Sequence, residues 1–327
     1  MAKRSVFAGL AAVAVLGLTA VPATPAAAEQ SRRCPEVVQG SAPRLHPEGV
    51  AFDPTRDRFL VGSVRHGTVS VANPDGTVRT LVDDPQLITT MGLAVDVRRG
   101  RVLVANGDVA IGTRTSPATL NKTAGLGVYD LRTGGRIAYH DLGALDPARK
   151  HFGNDIALAP DGTAYVTDSY SGAVYRVPLS GPATVLLRDD RLMPTGSGNG
   201  ANGIVLHPKG YLLIAHSSGR ALYKLDGTAL SRVTVDQAIG APDGLLLDHD
   251  GALHAIDNTS ANRVITLASK DDWATATLTA SQAWSDPAPT TMARGRCGIY
   301  VLSGRLDQLG QGSDEFWLRR LGVGRHA

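Results

Sequence analysis

The stretch NGIVLHPKGYLLI, residues 202–214, contains the repeating unit from which the fold is predicted. A polar residue and a glycine precede a short apolar run, and a second glycine, eight residues beyond Asn202, precedes another. Short apolar runs separated by Gly, Asp and Asn are typical of β-hairpins. The same offset recurs twice more, between Asn154 and Gly162 and between Asp243 and Gly251. The unit therefore predicts paired β-strands.

Five segments share this layout, and their spacing predicts the architecture. They are residues 48–53, 91–96, 154–158, 202–206 and 243–248. Their starts lie 43, 63, 48 and 41 residues apart, and most of these intervals match the roughly 40–50 residues of a propeller blade. A weaker sixth repeat starts near 290–292 and continues with strands at 298–302 and 316–321. We therefore expect an all-β fold, a β-propeller of six blades.

The interval of 63 residues contains an insertion at 111–125 that is rich in Thr, Ser, Gly and Pro. Such a segment either covers the mouth of the channel as a lid or forms a passive surface loop. At the ends of the repeat region, the last blade lacks a fourth strand, whereas residues 36–38 belong to no repeat. We expect 36–38 to complete the last blade and to close the ring.

The only two cysteines, Cys34 and Cys297, lie at the two ends of the repeat region. In an oxidising compartment a disulfide between them is expected, and two free thiols are the alternative. Ring closure by the segment that follows Cys34 would bring the two cysteines together.

The first 28 residues have the composition of a signal peptide. Lys3 and Arg4 precede an apolar run at 6–21, and a run of three alanines suits cleavage after Ala28. We therefore expect a secreted protein whose mature part, 29–327, is one propeller domain without a membrane anchor. The formal net charge is +3, and removal of Lys3 and Arg4 leaves +1. This balance gives no electrostatic case for nucleic acid or an anionic membrane surface.

Four residues with side-chain oxygens lead the repeats: Glu48, Asn154, Asn202 and Asp243. The starts of the innermost strands of a propeller converge on its central channel, so we expect these side chains to lie close together. Carboxylate and amide oxygens suit a hard divalent cation, Ca²⁺ first, with Mg²⁺ or Zn²⁺ as alternatives. The competing interpretation is that Asn-Gly and Asp-Gly are only turn dipeptides. Turn chemistry does not explain Glu48, because Glu has no turn preference.

The sequences around these residues resemble a known family. PEGV at 47–50, ANGI at 201–204 and PDGL at 242–245 are similar to motifs of the gluconolactonase, senescence-marker-protein and luciferin-regenerating-enzyme-like family. GNDI at 153–156 resembles the corresponding stretch of the related paraoxonases. The resemblance extends over about residues 47–258. It implies a six-bladed propeller and a divalent metal in the central channel.

The resemblance also implies roles for single residues. Glu48, Asn202 and Asp243 would bind the catalytic metal, and Asp243 would in addition act as base or nucleophile. Asn154 would contact the substrate or the metal, and Asp155 would add a further ligand. The expected reaction is hydrolysis of a lactone or ester, in which the metal polarises the carbonyl oxygen and stabilises the oxyanion.

The chain departs from the family at the third repeat. Where the family carries Arg two residues before the Asn and grips a sugar acid, this chain has Phe152. We therefore expect Phe152 to contact a small, less polar ester or lactone. His151 and His216 are candidate proton carriers. Residues 167–169 and 256–258 occupy equivalent places in their repeats, and we expect them to stabilise turns.

Two other functions fit the same sequence. A propeller can be a non-catalytic module that binds a partner, because the fold alone does not determine function. The same cation and carboxylates could also support a phosphotriesterase-like hydrolase.

Overall fold

The structure is a computed structural model that describes Met1, residues 34–259 and residues 261–322. The predicted signal peptide at 1–28 lies outside these residues except for Met1. The chain separates into two compact units, Met1–Cys34 and Pro35–Ala327, and the strands and the cavity described below belong to the second. None of the helices in the described part is long and apolar enough to cross a membrane.

The described residues form an all-β fold with almost no helix. The strands are β1 (Val37–Ser41), β2 (Pro47–Asp53), β3 (Arg58–Ser63), β4 (Thr68–Ala72), β5 (Val78–Asp83), β6 (Thr89–Asp96), β7 (Arg101–Gly107), β8 (Lys122–Asp130), β9 (Arg136–Asp141), β10 (His151–Leu158), β11 (Ala164–Asp168), β12 (Ala173–Val177), β13 (Thr184–Arg188), β14 (Ala201–Leu206), β15 (Leu212–His216), β16 (Ala221–Asp226), β17 (Ala229–Arg232), β18 (Thr234–Val235), β19 (Pro242–Leu247), β20 (Leu253–Asp257), β21 (Arg263–Ala268), β22 (Thr275–Ala283), β23 (Pro289–Gly295), β24 (Gly298–Ser303) and β25 (Glu315–Arg320). Short 3-10 helices occupy Val97–Arg99, Gly143–Leu145, Asp190–Leu192 and Leu306–Gln308.

Consecutive strands pair antiparallel, in the orders β2-β3-β4-β5, β6-β7-β8-β9, β10-β11-β12-β13, β14-β15-β16-β17 and β19-β20-β21-β22. The short strand β18 adds to β22 in parallel. A short parallel pairing of β10 with β8, at His151 and Phe152, joins the second and third of these runs into one sheet. The remaining sheet has the order β1-β25-β24-β23. The strands predicted at 298–302 and 316–321 are thus present as β24 and β25.

The first strands of these runs contact one another in a closed order. β2 packs on β6 and β23, β10 packs on β6 and β14, and β19 packs on β14 and β23. This is a propeller-like arrangement of sheets around a central channel. Each sheet is covered by a neighbour on both faces, and β3 and β4 are accordingly buried at every position.

The prediction that the segment after Cys34 closes the last sheet is confirmed. β1 pairs antiparallel with β25 from Val37 opposite Arg319 to Ser41 opposite Glu315. Both cysteines are disulfide-bonded. Because the chain has only two cysteines, Cys34 and Cys297 are bonded to each other.

A β-bulge recurs near the start of each first strand. One extra residue lies on the first strand between Pro47 and Val50, Thr90 and Leu93, Gly153 and Ile156, Ala201 and Ile204, Pro242 and Leu245, and Pro289 and Thr291. A bulge re-aims the side chains at its position, and here it coincides with the leading residues of the repeats. Asn202 and Asp243 therefore lie in bulged strands, not in turns.

The insertion predicted at 111–125 ends earlier than expected, because β8 begins at Lys122. Hydrogen bonds hold the loop against the first run of strands, since Thr113 N donates to Arg65 O and Arg65 Nη1 donates to Ile111 O. Within the loop, the buried carboxylate of Asp108 accepts hydrogen bonds from Ala110 N and from the hydroxyls of Thr115 and Thr119. A role as a lid stays a prediction.

Candidate functional site

A cavity of about 300 Å³ runs along the central channel between the first strands. Its polar side chains are those of Glu48, Asn154, Asp155, Asn202 and Thr291. Aliphatic side chains and the backbone of the first strands form the rest of its wall. The lining found among the described residues contains no Lys, Arg or His. Acidic groups in this cavity are therefore not neutralised by a lining cationic side chain.

Glu48 is the second residue of β2 and its side chain is 8% exposed. Among the described residues no hydrogen bond is made to its carboxylate, whereas its backbone oxygen accepts one from the Thr290 hydroxyl at 2.7 Å. Burial raises the pKa of Glu48 well above its ordinary value, and the charges of Asp243 and Asp155 raise it further. An anionic Glu48 would be stabilised by a cation.

Asp243 lies in β19 beside the cavity, and it is hydrogen-bonded to Asn202, which lines the cavity. Its Oδ1 accepts from Asn202 Nδ2 at 2.7 Å and its Oδ2 from Asn258 Nδ2 at 2.8 Å. Burial raises the pKa of Asp243 to about 6, although these two hydrogen bonds favour the ionised carboxylate. Asn258 is exposed, so this carboxylate lies next to a residue that reaches solvent.

Asn154 and Asn202 are both buried and are held by a serine hydroxyl. Asn154 Nδ2 donates to Ser169 Oγ at 2.8 Å, and Asn202 Nδ2 donates to Ser217 Oγ at 2.8 Å. No donor among the described residues reaches Oδ1 of either amide. Each side chain therefore has an unpaired oxygen, and both residues line the cavity.

Asp155 stands at the bulge position that most other repeats fill with glycine. Its Oδ1 accepts from Ile156 N at 2.8 Å and its Oδ2 from Ile204 N at 3.1 Å, so it links β10 to β14. Burial raises the pKa of Asp155 to about 7; the two backbone hydrogen bonds oppose this rise, and the charge of Asp243 adds to it. Asp155, which was expected to bind the metal, thus already accepts hydrogen bonds from backbone N–H groups at both carboxylate oxygens.

The donor set fits a hard cation only when the amides are included. No three side chains of His, Cys, Asp or Glu within residues 34–259 and 261–322 lie together as a metal-binding group. Glu48 and Asp243 supply carboxylates, and Asn154 and Asn202 supply unpaired amide oxygens. Such all-oxygen sets of mixed charge are those that Ca²⁺ accepts.

His151 and Phe152 do not line the cavity. His151 is buried, with Nδ1 2.6 Å from Asp168 Oδ2 and Nε2 2.8 Å from Asp146 O. Phe152 lies in a hydrophobic cluster, where its ring packs at 5.5 Å on that of Tyr170. Both ring nitrogens of His151 are engaged, and the Phe152 ring belongs to the core. The structure does not bring either residue to Glu48.

His216 is the last residue of β15, and both of its ring nitrogens are also engaged. Its Nδ1 accepts from Gly219 N at 2.8 Å, and its Nε2 lies 2.9 Å from Met193 O. Burial lowers the pKa of His216. It lies opposite Ala201, the residue before the leading Asn202. Asp168 and Asp257 lie opposite the equivalent residues, Gly153 and Pro242. The carboxylates of Asp168 and Asp257 also accept from N–H groups of the turns that follow, which agrees with the turn role expected there for these two residues.

The residues that hold the leading side chains were not predicted from the sequence, and for Ser169 and Asn258 only a turn role was expected. Ser169, Ser217 and Asn258 each follow their leading residue by 15 positions, and each is hydrogen-bonded to it. The signal was present as a second fixed offset in the repeats. It could not be interpreted without knowing that the end of the second strand lies beside the bulge.

Comparison with known proteins gives a match in structure only. No family model matches the sequence, and no curated protein matches it. The major allergen Mala s 1 of Malassezia sympodialis superimposes with a TM-score of 0.71 at 16% identity, covering 90% of this chain and 100% of the allergen. A gluconolactonase from Xanthomonas campestris gives 0.59 at 17% identity, covering 88% and 89%.

A calcium-binding regucalcin from Agrobacterium tumefaciens gives a TM-score of 0.61 at 17% identity, covering 85% of this chain and 90% of that one. The fold is that of the gluconolactonase-like propellers. The resemblance expected from the motifs is therefore confirmed at the level of the fold. At these identities the likeness does not assign an activity.

Proposed function

We propose that the protein is a secreted, metal-dependent hydrolase of a lactone or ester, with its site in the channel of a six-bladed propeller. The observation that carries the proposal is the pair of buried carboxylates, Glu48 and Asp243. Burial raises the pKa of both groups, so a nearby positive charge would be needed to hold them ionised. The lining of the cavity supplies no basic side chain. Buried charges are normally paired or coordinate a metal.

The count of six blades is supported by the antiparallel runs described above. The second and third runs form one continuous sheet only through the short β8–β10 pairing. Export is supported by the disulfide between Cys34 and Cys297, because disulfides persist in oxidising compartments.

Glu48, Asn154, Asn202 and Asp243 would hold the cation through oxygen atoms, with Asp155 as a further donor. We favour Ca²⁺ over Mg²⁺ and Zn²⁺, because the set contains amide oxygens and has no histidine or thiolate. When bound, the cation would polarise the carbonyl oxygen of the substrate and stabilise the developing negative charge.

The chain itself would supply the base and orient the substrate. Asp243 would accept a proton from water on a carboxylate oxygen or attack the carbonyl carbon directly. Asn258, through its hydrogen bond to Oδ2, would hold that carboxylate in place. Asn154, which lines the cavity, would contact the substrate. His151, Phe152 and His216 are left out of this proposal, because their rings are committed to the core and to turns.

The proposal is tested by calcium binding and hydrolysis. Thermal melting with Ca²⁺ and with EDTA is compared for the wild type, Glu48→Gln and the exposed control Glu36→Gln, alongside a panel of lactones and aryl esters. We expect Ca²⁺ to raise the Tm of the wild type and of Glu36→Gln but not of Glu48→Gln. We expect Asp243→Ala to lose hydrolysis while it remains folded.

Two outcomes would replace the proposal. A wild-type protein with no response to Ca²⁺, Mg²⁺ or Zn²⁺ and no hydrolysis would favour a non-catalytic binding propeller. Cation-dependent turnover of an aryl phosphotriester without turnover of the carboxylic esters would favour a phosphotriesterase-like enzyme.

A further inference from the structure

We propose that Ser169 and Ser217 are positioning residues that fix which end of the Asn154 and Asn202 amides faces the channel. An asparagine side chain has an oxygen at one end and an NH₂ group at the other, and only the oxygen can bind a cation. The chain must therefore set the direction of both amides. The identity of the ligand rests on the proposed function, whereas the amide direction does not.

The direction follows from the single proton of each hydroxyl. Ser169 Oγ lies 2.6 Å from Ala201 O, and Ser217 Oγ lies 2.7 Å from Pro242 O. A carbonyl oxygen only accepts, so each serine must donate its proton there. Its oxygen can then only accept from the asparagine.

The amide of each asparagine must consequently turn its NH₂ group to the serine. Asn154 Nδ2 and Asn202 Nδ2 both lie 2.8 Å from their serine oxygens. Oδ1 remains as the end available to the cavity. A backbone carbonyl of the next run of strands thus determines, through one serine hydroxyl, which end of the asparagine amide faces the channel.

The residue at the equivalent place changes when the leading residue changes. Asp243 is a carboxylate and needs a donor, and there the chain has Asn258, whose Nδ2 donates at 2.8 Å. Beside the amides, which need an acceptor, it has serine. In the first repeat Ser63 lies opposite Pro47, the residue before Glu48, so the register gives the equivalent place to Val64, 16 residues after Glu48. Val64 is an apolar residue with 1% exposure, and Glu48 accordingly accepts no hydrogen bond from it. Each leading side chain is therefore matched with a partner of the hydrogen-bonding type that it needs, an acceptor for the amides and a donor for the carboxylate.

The two amides are not held equally. Asn202 Nδ2 also donates to Asp243 Oδ1 at 2.7 Å, so its direction is fixed twice. Asn154 has Ser169 as its side-chain partner in the described part of the chain. Loss of Ser169 should therefore release its amide, and loss of Ser217 should have the smaller effect.

The test measures Ca²⁺ affinity by titration calorimetry for the wild type, Ser169→Ala, Ser217→Ala and Ser63→Ala. Ser63 is a matched control, because its buried hydroxyl also donates to a backbone carbonyl, that of Leu45, but accepts from the backbone N–H of His66 and not from an asparagine side chain. We expect Ser169→Ala to lose about 10- to 100-fold in affinity, the usual effect of removing a group that orients a ligand. Ser217→Ala should lose less and Ser63→Ala nothing.

A rescue separates amide direction from general damage. In Ser169→Ala combined with Asn154→Asp, both ends of the side chain are oxygen, so direction no longer matters and affinity should return. Equal affinity in the wild type and Ser169→Ala, or no recovery in the double variant, would overturn the inference.

A second readout needs no metal. In EDTA, the side-chain amide protons of Asn154, followed by ¹H–¹⁵N NMR, should exchange slowly in the wild type and faster in Ser169→Ala. Unchanged exchange would overturn the inference even if calcium binds. Conversely, the wild type could bind no cation while its amide protons still exchange more slowly than those of Ser169→Ala. This outcome would reject the proposed function and support the role of Ser169 in fixing the direction of the amide.

Discussion

Glu48 differs from the other buried carboxylates of the chain in what surrounds it. Asp53 is fully buried too, but Arg58 Nε lies 2.9 Å from its Oδ2. Burial raises the pKa of Asp53, yet hydrogen bonds from Thr55 and Arg58 outweigh this and leave it lowered. Glu48 has no such partner within the described residues, and its pKa is raised. Asp53 is thus paired with an arginine, whereas the channel acid Glu48 has no cationic partner within the described residues.

The pKa of the buried His151 predicts how the stability of the protein depends on pH. Burial lowers its pKa, but hydrogen bonds to Asp168 and to Asp146 O outweigh this and raise it above 6.5. A raised pKa in the folded state stabilises the fold below the unfolded pKa, and this contribution is lost as the pH rises through the folded value. Urea unfolding at about pH 5.5 and about pH 8.5 should therefore show a larger loss of stability in the wild type than in His151→Gln.

The exposed His249 provides the control for this experiment. His249→Gln should keep the pH dependence of the wild type. A His151→Gln variant with the same pH dependence as the wild type would contradict the assignment of a charged, paired His151.

The candidate site was only partly predictable from single residues. The recurrence of Glu48, Asn154, Asn202 and Asp243 at one offset predicted correctly that they belong to equivalent positions. The proton-carrier role expected for His151 and His216 came from residue type alone, and a histidine satisfied by backbone looks the same in sequence as a catalytic one. Their ring nitrogens are engaged by Asp168 and Met193, which are 17 and 23 residues away in sequence, and no local pattern encodes these contacts.

At the scale of elements, the bulges explain the glycines of the repeats. A Cβ on Gly203 would lie 2.3 Å from Asp243 O, and one on Gly49 would lie 2.0 Å from Met91 O. Neighbouring first strands approach so closely at the bulge that a side chain does not fit. The sequence pattern predicted the strands correctly, but Asn-Gly is equally typical of a turn, so the bulges were not predicted.

Gly203→Ala tests this reading of the bulge. The added methyl would force β14 and β19 apart, and we expect a loss of about 1–3 kcal/mol in the free energy of unfolding, measured by urea denaturation. Gly310→Ala is the control, because a Cβ there meets nothing within 4 Å. If both variants were as stable as the wild type, close approach would not be the reason for glycine at this position.

At the scale of the whole molecule, the closure of the ring depends on segments far apart in sequence. β1 completes the last sheet on β25, and the disulfide joins Cys34 to Cys297. Both features were predicted from the sequence, because an unpaired strand and two cysteines at opposite ends have few other partners. The docking of the 108–121 loop on Arg65 was not predictable, since it depends on irregular backbone.

The disulfide yields a stability prediction. Linking residues so far apart restricts the unfolded chain, and the entropy model assigns about 5 kcal/mol to such a loop. A variant with Cys34→Ser and Cys297→Ser should lose about that much in the free energy of unfolding. Reducing agent should destabilise the wild type and leave the double variant unchanged. A double variant as stable as the oxidised wild type would contradict the prediction.

The pairing of β1 with β25 also fixes an order of assembly. A chain made from its first residue must hold Val37–Ser41 without a partner until Glu315–Arg320 has been synthesised, so the last sheet forms last. An unpaired strand can template wrong association. β1 limits this hazard by its own composition, because Gln39 and Ser41 are exposed and only Val38 and Gly40 are fully buried. The strand that stays unpaired longest during synthesis therefore exposes little apolar surface to other chains.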